Sequence, residues 1–557
     1  MEKTVVAREC RFVIHLEANE TREDTHLVKE RVHYSDGTSE PNLRVVKNYL
    51  RPFYVTKEPY RKNKEKKESE LLEKLIEYKS TESDLAVNIA KRLKGTYPQR
   101  SKVPSMYDVS KSPYLYGTDI STLNLIKKTY KDKYPDTNTR YNVAIFDIEV
   151  DTITGQIIVA SLCLAHKVYV VILDKLVENK KDPIDQLEYL YKKHIPLTDI
   201  SKNITPVFKI VSSELELIEW ILNQAHKEQP DLVAVWNVNY DVPYIVSRCE
   251  HYGVDPKYYF SDPQLPEELK HFEYKQGVKA KLTASGVFKP KDPQEQWHIV
   301  KASSSFYWVD AMCAYYFIRQ GGKTVPGGYS LDNILNYVLG SSFKKLKFDN
   351  TPSDLNGVNW HRYMVEQRPL EYIIYNIWDT MSILHLDAKT KDLCLNLPLL
   401  SDCCSFDIFH QNPKKLVESI HYEYLENGRV LATKARGDDN TQQDYDEKLL
   451  GLSNWIVTQP IERTTDNGLK CLIEDQELPT LIRGHVYDSD QVSGYPNDTI
   501  AANVSGDTTS RELLSIEGID KELFKTENLN CIYGNINAVQ YCTTMFRFPE
   551  LKTLKII

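Results

Sequence analysis

The clearest pattern of hydrophobic and polar positions lies between residues 141 and 173, where three short apolar runs follow one another. YNVAIFDIEV, QIIVASLCL and KVYVVIL are rich in β-branched and aromatic residues, which favours β-strands. The polar segment DTITG between the first two runs predicts a hairpin turn. The spacing therefore predicts three successive strands, the first two joined by a tight turn.

A helix, a strand and a second helix are predicted next. Ser213 and Glu216 form a capping-box pattern, which predicts the start of an amphipathic helix that continues to about Lys227. DLVAVWN (231–237) predicts a buried strand, and Pro243 predicts the start of another helix. Strands that alternate with helices in this way predict an α/β domain with a mixed sheet.

The flanking regions have patterns of their own. In residues 10–105, the runs ECRFVIHLEA and RPFYVTK predict strands, and ESELLEKLIEYK predicts a helix, so a separate α+β N-terminal domain is expected. Downstream, one long helix is predicted over residues 362–391 and another in LVESIHYEYLENGRVL. The polar segment ARGDDNTQQDYDEK predicts an exposed loop or an internal boundary.

Composition excludes several classes of protein. The 557 residues are 41% hydrophobic, and 70 basic against 78 acidic side chains give a net charge of −8, which argues against a protein that coats nucleic acid indiscriminately. No apolar run approaches the roughly 18 residues of a membrane span, and MEKTVVARECRF has no signal-peptide pattern. Ten cysteines without a CxxC pair fit a reducing compartment, so a cytoplasmic protein with no membrane association is expected.

Candidate chemistry begins with Asp147 and Glu149 in the apolar run VAIFDIEV. Side chains two residues apart on a strand point to the same side, so both carboxylates would emerge together from a buried sheet. Two buried carboxylates need cations, either divalent metal ions or the side chain of a lysine or arginine. The other two D-x-E pairs lie in polar surroundings and are interpreted as solvated acids: Asp475/Glu477 and Asp520/Glu522.

Two further segments favour the metal-ion interpretation. Asp241 follows the predicted strand DLVAVWN at a strand-to-helix junction, where functional groups gather in α/β domains. Tyr375 and Asp379 are four residues apart and share one face of the predicted long helix. Acidic side chains from three separate elements that converge in one domain are what a two-metal phosphodiesterase requires.

FDIE (146–149), WNVNYD (236–241) and YNIWD (375–379) resemble the three exonuclease motifs of family B DNA polymerases, in particular the T-even phage branch. The resemblance implies an RNase H-like 3′–5′ proofreading exonuclease domain with two Mg²⁺ or Mn²⁺ ions per active site. Tyrosine at position 240 replaces the more usual phenylalanine and keeps an aromatic ring. The implied metal ligands are Asp147, Glu149, Asp241 and Asp379, with Tyr375 positioning the water and Asn237 and Tyr240 near the terminal nucleotide.

A fourth motif, DQVSGYPN (490–497), resembles the first palm motif of the same family, DxxSLYPS. By that resemblance Asp490 would bind the metal ions of nucleotide addition, and Ser493, Gly494 and Tyr495 would contact the incoming nucleotide. Glycine replaces the usual leucine at position 494, and asparagine replaces the usual serine at position 497. The alternative for this segment is an ordinary strand that ends in a tyrosine-proline turn.

The resemblance implies three consecutive parts of a family B polymerase: an N-terminal domain over 1–110, the exonuclease domain over 111–395, and connecting helices with the first part of the palm over 396–557. No fingers motif or DTDS-like palm motif is found before Ile557. The remaining polymerase part is therefore expected on a second polypeptide; the alternative is that it was lost or cut away. The other expected partners are primer-template DNA, single-stranded 3′ ends, a sliding clamp and a single-strand-binding protein.

Three hypotheses about function follow from these motifs. The first is a subunit of a replicative DNA polymerase that excises 3′ nucleotides by itself and polymerises only with its partner. In the second, the chain is a stand-alone exonuclease whose palm fragment is vestigial. The third is a nucleic-acid-binding or regulatory protein with an inactive nuclease fold.

Overall fold

The structure, a computed structural model, describes most of the chain up to residue 436. Contacts between Cα atoms divide the chain into two compact units, Met1–Ala435 and Arg436–Ile557, and the described residues lie almost entirely in the first. The described segments are 3–64, 66–98, 102–282, 288–319, 325–349, 351–352, 355–401 and 405–436. The predicted loop at 435–448 and the palm motif therefore fall wholly or largely outside the described residues.

The N-terminal region is built from small antiparallel sheets and short helices. Strands β1 to β3 form one three-stranded sheet, β4 lies between β6 and β7 in a second, and β5 pairs with a strand near residue 430. The bounds are β1 Val5–Leu16, β2 Thr25–Tyr34, β3 Ser39–Lys47, β4 Arg51–Thr56, β5 Ser69–Leu71, β6 Leu75–Ser80, α1 Leu85–Leu93, α2 Met106–Val109, β7 Leu115–Tyr116 and α3 Thr122–Lys133.

The helix predicted for ESELLEKLIEYK is wrong, because this segment forms β5, a short 3₁₀ turn and β6. Strand β6 pairs antiparallel with β4 in a register that sets Leu75 opposite Thr56 and Tyr78 opposite Phe53. Leu75 and Phe53 are buried. Pairing with a distant buried strand overrides the helix propensity of Leu, Glu and Lys, since propensity is a weak local preference.

A mixed six-stranded sheet forms the centre of the following region, as predicted. Its strand order is β11-β10-β9-β8-β12-β17. Strand β8 pairs antiparallel with β9 and parallel with β12, and β12 pairs parallel with β17. The bounds are β8 Val143–Val150, β9 Ile157–Cys163, β10 Lys167–Leu173, β11 Thr205–Val211, β12 Leu232–Val235 and β17 Tyr307–Asp310. The predicted α/β fold class with a mixed sheet is confirmed.

Helices cover this sheet, and smaller strand pairs flank it. The long helix α11 (Pro369–Thr390) packs on β8 and β9, and α5 (Glu214–Glu228) packs on β9 and β10. The remaining bounds are α4 Pro183–His194, α5 Glu214–Glu228, α6 Val238–His251, α7 Lys257–Phe260, β13 Phe272–Lys275, β14 Ala280–Leu282, β15 Phe288–Pro290, β16 Ile299–Ala302, α8 Ala311–Ile318, α9 Leu331–Leu339, α10 Gly357–Gln367, α11 Pro369–Thr390, α12 Leu397–Ser401, α13 Asn412–Glu426 and β18 Arg429–Leu431.

Several elements begin or end at residues other than the predicted ones. The Ser213 hydroxyl accepts from the Glu216 N–H as expected of a helix cap, and α5 ends one residue after Lys227. Helix α6 begins at Val238 and contains Pro243 in its interior, because the Asp310 carboxylate accepts from the Val238 N–H at 2.9 Å and caps the helix from a neighbouring strand. The single helix predicted over 362–391 is two helices, since Pro369 cannot donate the hydrogen bond that would continue α10 into α11.

The end of the described chain returns to the N-terminal region. Helix α13 covers most of the predicted helical segment LVESIHYEYLENGRVL, and β18 then pairs antiparallel with β5. Residues 396–435 thus belong to the same compact unit as the N-terminal strands, and the predicted domain bounds remain predictions. Among the described residues, no helix is long and apolar enough to cross a membrane.

Candidate active site

Strand β8 presents the first two carboxylates. Its residues Phe146, Ile148 and Val150 are buried in the core on one face, and the alternate residues Asp147 and Glu149 point to the other face. Glu149 is buried and Asp147 is half-buried. The apolar alternation therefore fixes the direction of both acids, as the sequence predicted.

Helix α11 brings a third carboxylate to the same face of the sheet. Asp379 is buried, and one carboxylate oxygen from each of Asp147, Glu149 and Asp379 lies within 4.8 Å of the other two. This separation is short enough for the three oxygens to share one bound ion. The predicted convergence of the strand and the long helix is thus observed.

Asp241 approaches from the first turn of α6. Its Oδ1 accepts a hydrogen bond from the Ile148 N–H at 3.2 Å, so its carboxylate is anchored to the β8 backbone between Asp147 and Glu149. The charge of Asp241 also raises the pKa of Asp147. The structure therefore brings together all four acids that the sequence singled out, and their catalytic role remains a prediction.

Burial and mutual repulsion dominate the electrostatics of the four acids. Burial raises the pKa of Glu149 to about 8 and that of Asp241 to about 8. Burial, followed by the charges of neighbouring carboxylates, raises the pKa of Asp147, and burial also raises that of Asp379. Carboxylates in such surroundings are stabilised as anions by nearby positive charge and by the hydrogen bonds that they accept.

Lys345, which no sequence pattern indicated, supplies one positive charge. Its Nζ donates to Asp379 Oδ2 at 2.6 Å and to the Tyr375 hydroxyl at 2.8 Å. Burial lowers the pKa of Lys345, but Asp379 and Tyr375 outweigh that effect and the net pKa is raised. The lysine reaches the site because the buried Trp378 indole donates to the Lys344 carbonyl and ties this segment to α11.

A lysine or arginine that pairs with the acids is the alternative to metal ions. The described residues supply such a partner to only one of the four acids. Within the described chain, Lys345 is the only lysine or arginine that forms an ion pair with any of the four acids. His361 lies 3.7 Å from Glu149, but burial lowers the pKa of His361 and favours its neutral form. One lysine for four carboxyl groups leaves three of them without a positively charged partner among the described residues.

Two other side chains of α11 orient the two acids of β8, and no sequence pattern indicated this role for them. The Tyr372 hydroxyl donates to Glu149 Oε2 at 2.5 Å, and Asn376 Nδ2 donates to Asp147 Oδ2 at 2.7 Å. Tyr372 and Asn376 are one helical turn apart, and Asp379 follows three residues later on the same face. That spacing was visible in the sequence, but the identity of their partners required the packed structure.

The predicted nucleotide-contacting residues lie at the start of α6. Asn237 is the residue before the helix, and Tyr240 is 50% exposed with its ring 5.9 Å from that of Tyr244. Burial and then the charges of Glu149 and Asp241 raise the pKa of Tyr240 to about 12. An aromatic ring thus lies open to solvent beside the carboxylates. The predicted palm residues Asp490, Ser493, Gly494 and Tyr495 lie outside the described residues.

The donor set fits the predicted metal ions. All four candidate ligands are carboxylates, and hard divalent cations such as Mg²⁺ and Mn²⁺ prefer oxygen ligands. Asp147, Glu149 and Asp379 form one of two groups in the described chain that have the spacing of a metal site. In the described chain, three of the four acids lack a positively charged partner, and this lack and the short oxygen separations both favour a divalent ion at this position.

A mixed sheet gathers carboxylates from β8, α6 and α11, and residues 97–275 match the exonuclease domain of family B DNA polymerases. The matched segment contains Asp147, Glu149 and Asp241, whereas Tyr375 and Asp379 lie beyond it. A DNA-directed DNA polymerase of Escherichia phage RB69 is 25% identical over 194 residues, which is 35% of this chain and 18% of the phage protein. The two matches confirm the resemblance to the N-terminal portion of a family B DNA polymerase.

Proposed function

We propose that this chain is a 3′–5′ exodeoxyribonuclease that removes nucleotides from DNA 3′ ends during replication. The convergence of four carboxyl groups from three separate elements carries this proposal; three of the groups are buried and that of Asp147 is half-buried. Among the described residues, Lys345 is the single lysine paired with them. The match to a polymerase exonuclease domain supports the same chemistry. A protein that only binds nucleic acid gains nothing from such a cluster, because the acids repel phosphate.

Two divalent ions, Mg²⁺ or Mn²⁺, are proposed as cofactors, and Asp147, Glu149, Asp241 and Asp379 would hold them. Such ions supply positive charge that activates water and stabilises the developing charge on the phosphate. Hydrogen bonds hold the carboxylate ligands in position before the ions bind. Tyr372 and Asn376 hold the carboxylates of β8 through hydrogen bonds, and the β8 backbone holds Asp241.

Tyr375 is proposed to orient the attacking water. Burial and the charge of Asp379 raise the pKa of its hydroxyl, so the phenol keeps its proton at neutral pH. Lys345 fixes the hydroxyl oxygen through a 2.8 Å hydrogen bond. A fixed phenol can orient a water molecule, and correct orientation lowers the barrier because less entropy is lost on reaching the transition state.

A frayed, single-stranded 3′ end is the proposed substrate. The exposed ring of Tyr240 can stack on a base, and stacking on an aromatic ring tolerates any sequence. Asn237, three residues earlier, is proposed to contact the terminal nucleotide. Little base preference and weaker binding at high salt are expected.

Nucleotide addition is a separate part of the proposal and is supported by the palm motif alone. Asp490 would bind metal ions there, and Ser493, Gly494 and Tyr495 would contact the incoming nucleotide. Primer-template DNA and a second polypeptide with the C-terminal polymerase part are the proposed partners, together with a sliding clamp and a single-strand-binding protein. Primer extension by this chain alone and after mixing with a candidate partner tests this part.

The exonuclease test uses the full chain, Mg²⁺ and a 5′-labelled single-stranded oligonucleotide. We expect a ladder of products shortened one nucleotide at a time, and a rate at least about 10²-fold lower for Asp147→Ala with Glu149→Ala. Asp185→Ala with Glu188→Ala removes two exposed acids of α4 and serves as the matched control. Absence of shortening, or equal rates for the two double variants, would exclude the proposed activity.

A further inference from the structure

Three potential metal ligands lie together on the β1–β2 hairpin, away from the carboxylate site. His15 on β1 is the register partner of His26 on β2, and their rings stack with centroids 4.6 Å apart. Asp24 lies directly before β2, and its carboxylate is close to both rings. The strand register and this preceding residue thus place two imidazoles and one carboxylate side by side.

The donor atoms of these residues are close enough to share an ion. One ligand atom from each lies within 4.8 Å of the other two, and His15 Nε2 is 2.5 Å from Asp24 Oδ1. The second oxygen of Asp24 accepts from the Glu82 N–H at 2.9 Å. The carboxylate is therefore fixed in place by the backbone and presents its other oxygen to the histidines.

His26 provides an independent indication of a ligand. Its side chain is completely buried, and neither ring nitrogen has a hydrogen-bond partner among the described residues. Buried polar atoms are nearly always satisfied, because an unsatisfied one costs about 1–3 kcal/mol. A bound ion would satisfy one nitrogen of the ring through its lone pair.

A cavity of about 220 Å³ adjoins the two histidines and gives an ion room for a further ligand. Glu82 and Asp407 line this cavity, and Lys301 is the lysine in its wall. The Glu82 carboxylate pairs with Arg51, and the charge of Lys301 acts on Asp407. These pairs nearly balance, which leaves the charge of Asp24 available to a cation.

We propose that His15, Asp24 and His26 form a binding site for a divalent transition-metal ion of the zinc type. Two imidazoles and one carboxylate are three protein ligands that Zn²⁺ accepts, and water from the cavity can occupy a fourth position. Tetrahedral bonds of about 2.0–2.1 Å separate neighbouring donor atoms by roughly 3.4 Å. The His15–Asp24 contact would therefore open by somewhat less than 1 Å when the ion binds. The two stacked rings would also turn, because the lone pairs that bind the ion lie in the ring planes.

The ion would connect parts of the chain that are distant in sequence. Through Asp24 it links the β1–β2 hairpin to the backbone at Glu82, and the adjoining cavity is closed by Lys301 and Tyr307 of the exonuclease region. Its nitrogen ligands distinguish it from the all-oxygen site at Asp147, because imidazole favours zinc-like ions over Mg²⁺. The two sites should therefore bind different ions independently.

Metal retention by the full chain tests the proposal. Protein stripped with a chelator is incubated with Zn²⁺ and then dialysed against excess Mg²⁺, which fills the carboxylate site. We expect the wild type to retain one equivalent of Zn²⁺ and His26→Gln to retain none. His33→Gln, on the same strand but outside the cluster, is the matched control and should retain one equivalent.

Failure of the wild type to retain Zn²⁺, or full retention by His26→Gln, would overturn the proposal. If His26→Gln does not fold, X-ray absorption of the Zn²⁺-loaded wild type decides: two imidazole ligands support the site, and ligation by oxygen alone refutes it. Neither measurement depends on exonuclease activity, so the result stands apart from the proposed function.

Discussion

Replacement of Lys345 by methionine tests how the carboxylate site is assembled. Methionine keeps an aliphatic side chain but removes the ammonium group that contacts Asp379 Oδ2 at 2.6 Å and the Tyr375 hydroxyl at 2.8 Å. A hydrogen bond to a charged group contributes about 1.5–3 kcal/mol. Because one third of the lysine side chain is exposed, we take a value of about 2 kcal/mol, which corresponds to roughly thirtyfold in rate.

Lys345→Met should change two measurable quantities. Without metal, Asp379 loses its only ion-pair partner in the described chain, so the free energy of unfolding should fall by about 2 kcal/mol. Added Mg²⁺ should reduce the difference in unfolding free energy between Lys345→Met and the wild type, because the ion also compensates the charge of Asp379. With saturating Mg²⁺, kcat for single-stranded DNA should still fall roughly thirtyfold while KM stays unchanged, since the Tyr375 hydroxyl is no longer held.

Lys344→Met is the matched control, because the Lys344 carbonyl, and not its side chain, bonds to Trp378. Urea unfolding with chelator and with Mg²⁺ gives the stability difference, and initial rates of oligonucleotide shortening give kcat and KM. A Lys345→Met rate within twofold of that of Lys344→Met would refute the positioning role. An unfolding free energy unchanged in the absence of metal would refute the electrostatic reasoning.

Three further predictions concern residues that support the fold and site. Tyr372→Phe removes the hydroxyl that donates to Glu149, so the Mg²⁺ concentration at half-maximal exonuclease rate should rise several-fold, as a metal titration would show. Asp310→Ala removes the side-chain caps of both α6 and α8 and should lower the free energy of unfolding by about 2 kcal/mol. Ser330→Ala removes one side-chain cap, that of α9, and should lower it by about 1 kcal/mol. Burial lowers the pKa of His226 to about 3, so only the unfolded chain gains this proton between about pH 6.5 and 3, and stability falls as pH falls through 6.5. His226→Gln should therefore lose about 2 kcal/mol less than the wild type between pH 7 and 5 in urea unfolding.

Each of these has an outcome that contradicts it. An unchanged metal titration for Tyr372→Phe would show that Glu149 does not depend on the hydroxyl. Equal costs for Asp310→Ala and Ser330→Ala would show that the double cap has no extra effect. Parallel pH profiles for His226→Gln and wild type would show that this histidine titrates normally in the folded protein.

The local sequence was sufficient to predict the direction of a candidate site residue wherever the same strand or helix contains that residue and the hydrophobic pattern. The alternation in VAIFDIEV fixes which way Asp147 and Glu149 point, because a strand turns successive side chains to opposite faces. The helical spacing of Tyr375 and Asp379 likewise sets them on one face. The order of strands and helices predicted the mixed sheet, and the strand-to-helix junction predicted the place of Asp241.

Pairing between distant elements was decided by the tertiary structure. The segment that became β6 has a helix-forming composition, and only its partner β4 makes it a strand. Helix α6 starts five residues before Pro243 because Asp310, 72 residues further along the chain, caps it. Such outcomes depend on which surfaces meet after folding, and local propensity carries no information about that.

The distinction between what local sequence predicts and what tertiary structure decides also applies to the two clusters of charged and metal-ligating side chains. The sequence by itself determined that Asp147, Glu149, Asp241 and Asp379 could converge, since each lies on an element whose direction its own pattern sets. Only the tertiary structure decided that Lys345, 34 residues from Asp379, and Tyr372, 223 residues from Glu149, would be their partners. The register of β1 and β2 likewise decided that His15 meets His26. The physical reason is that hydrogen bonds and ion pairs act over a few ångströms, and packing alone sets which distant residues come within that distance.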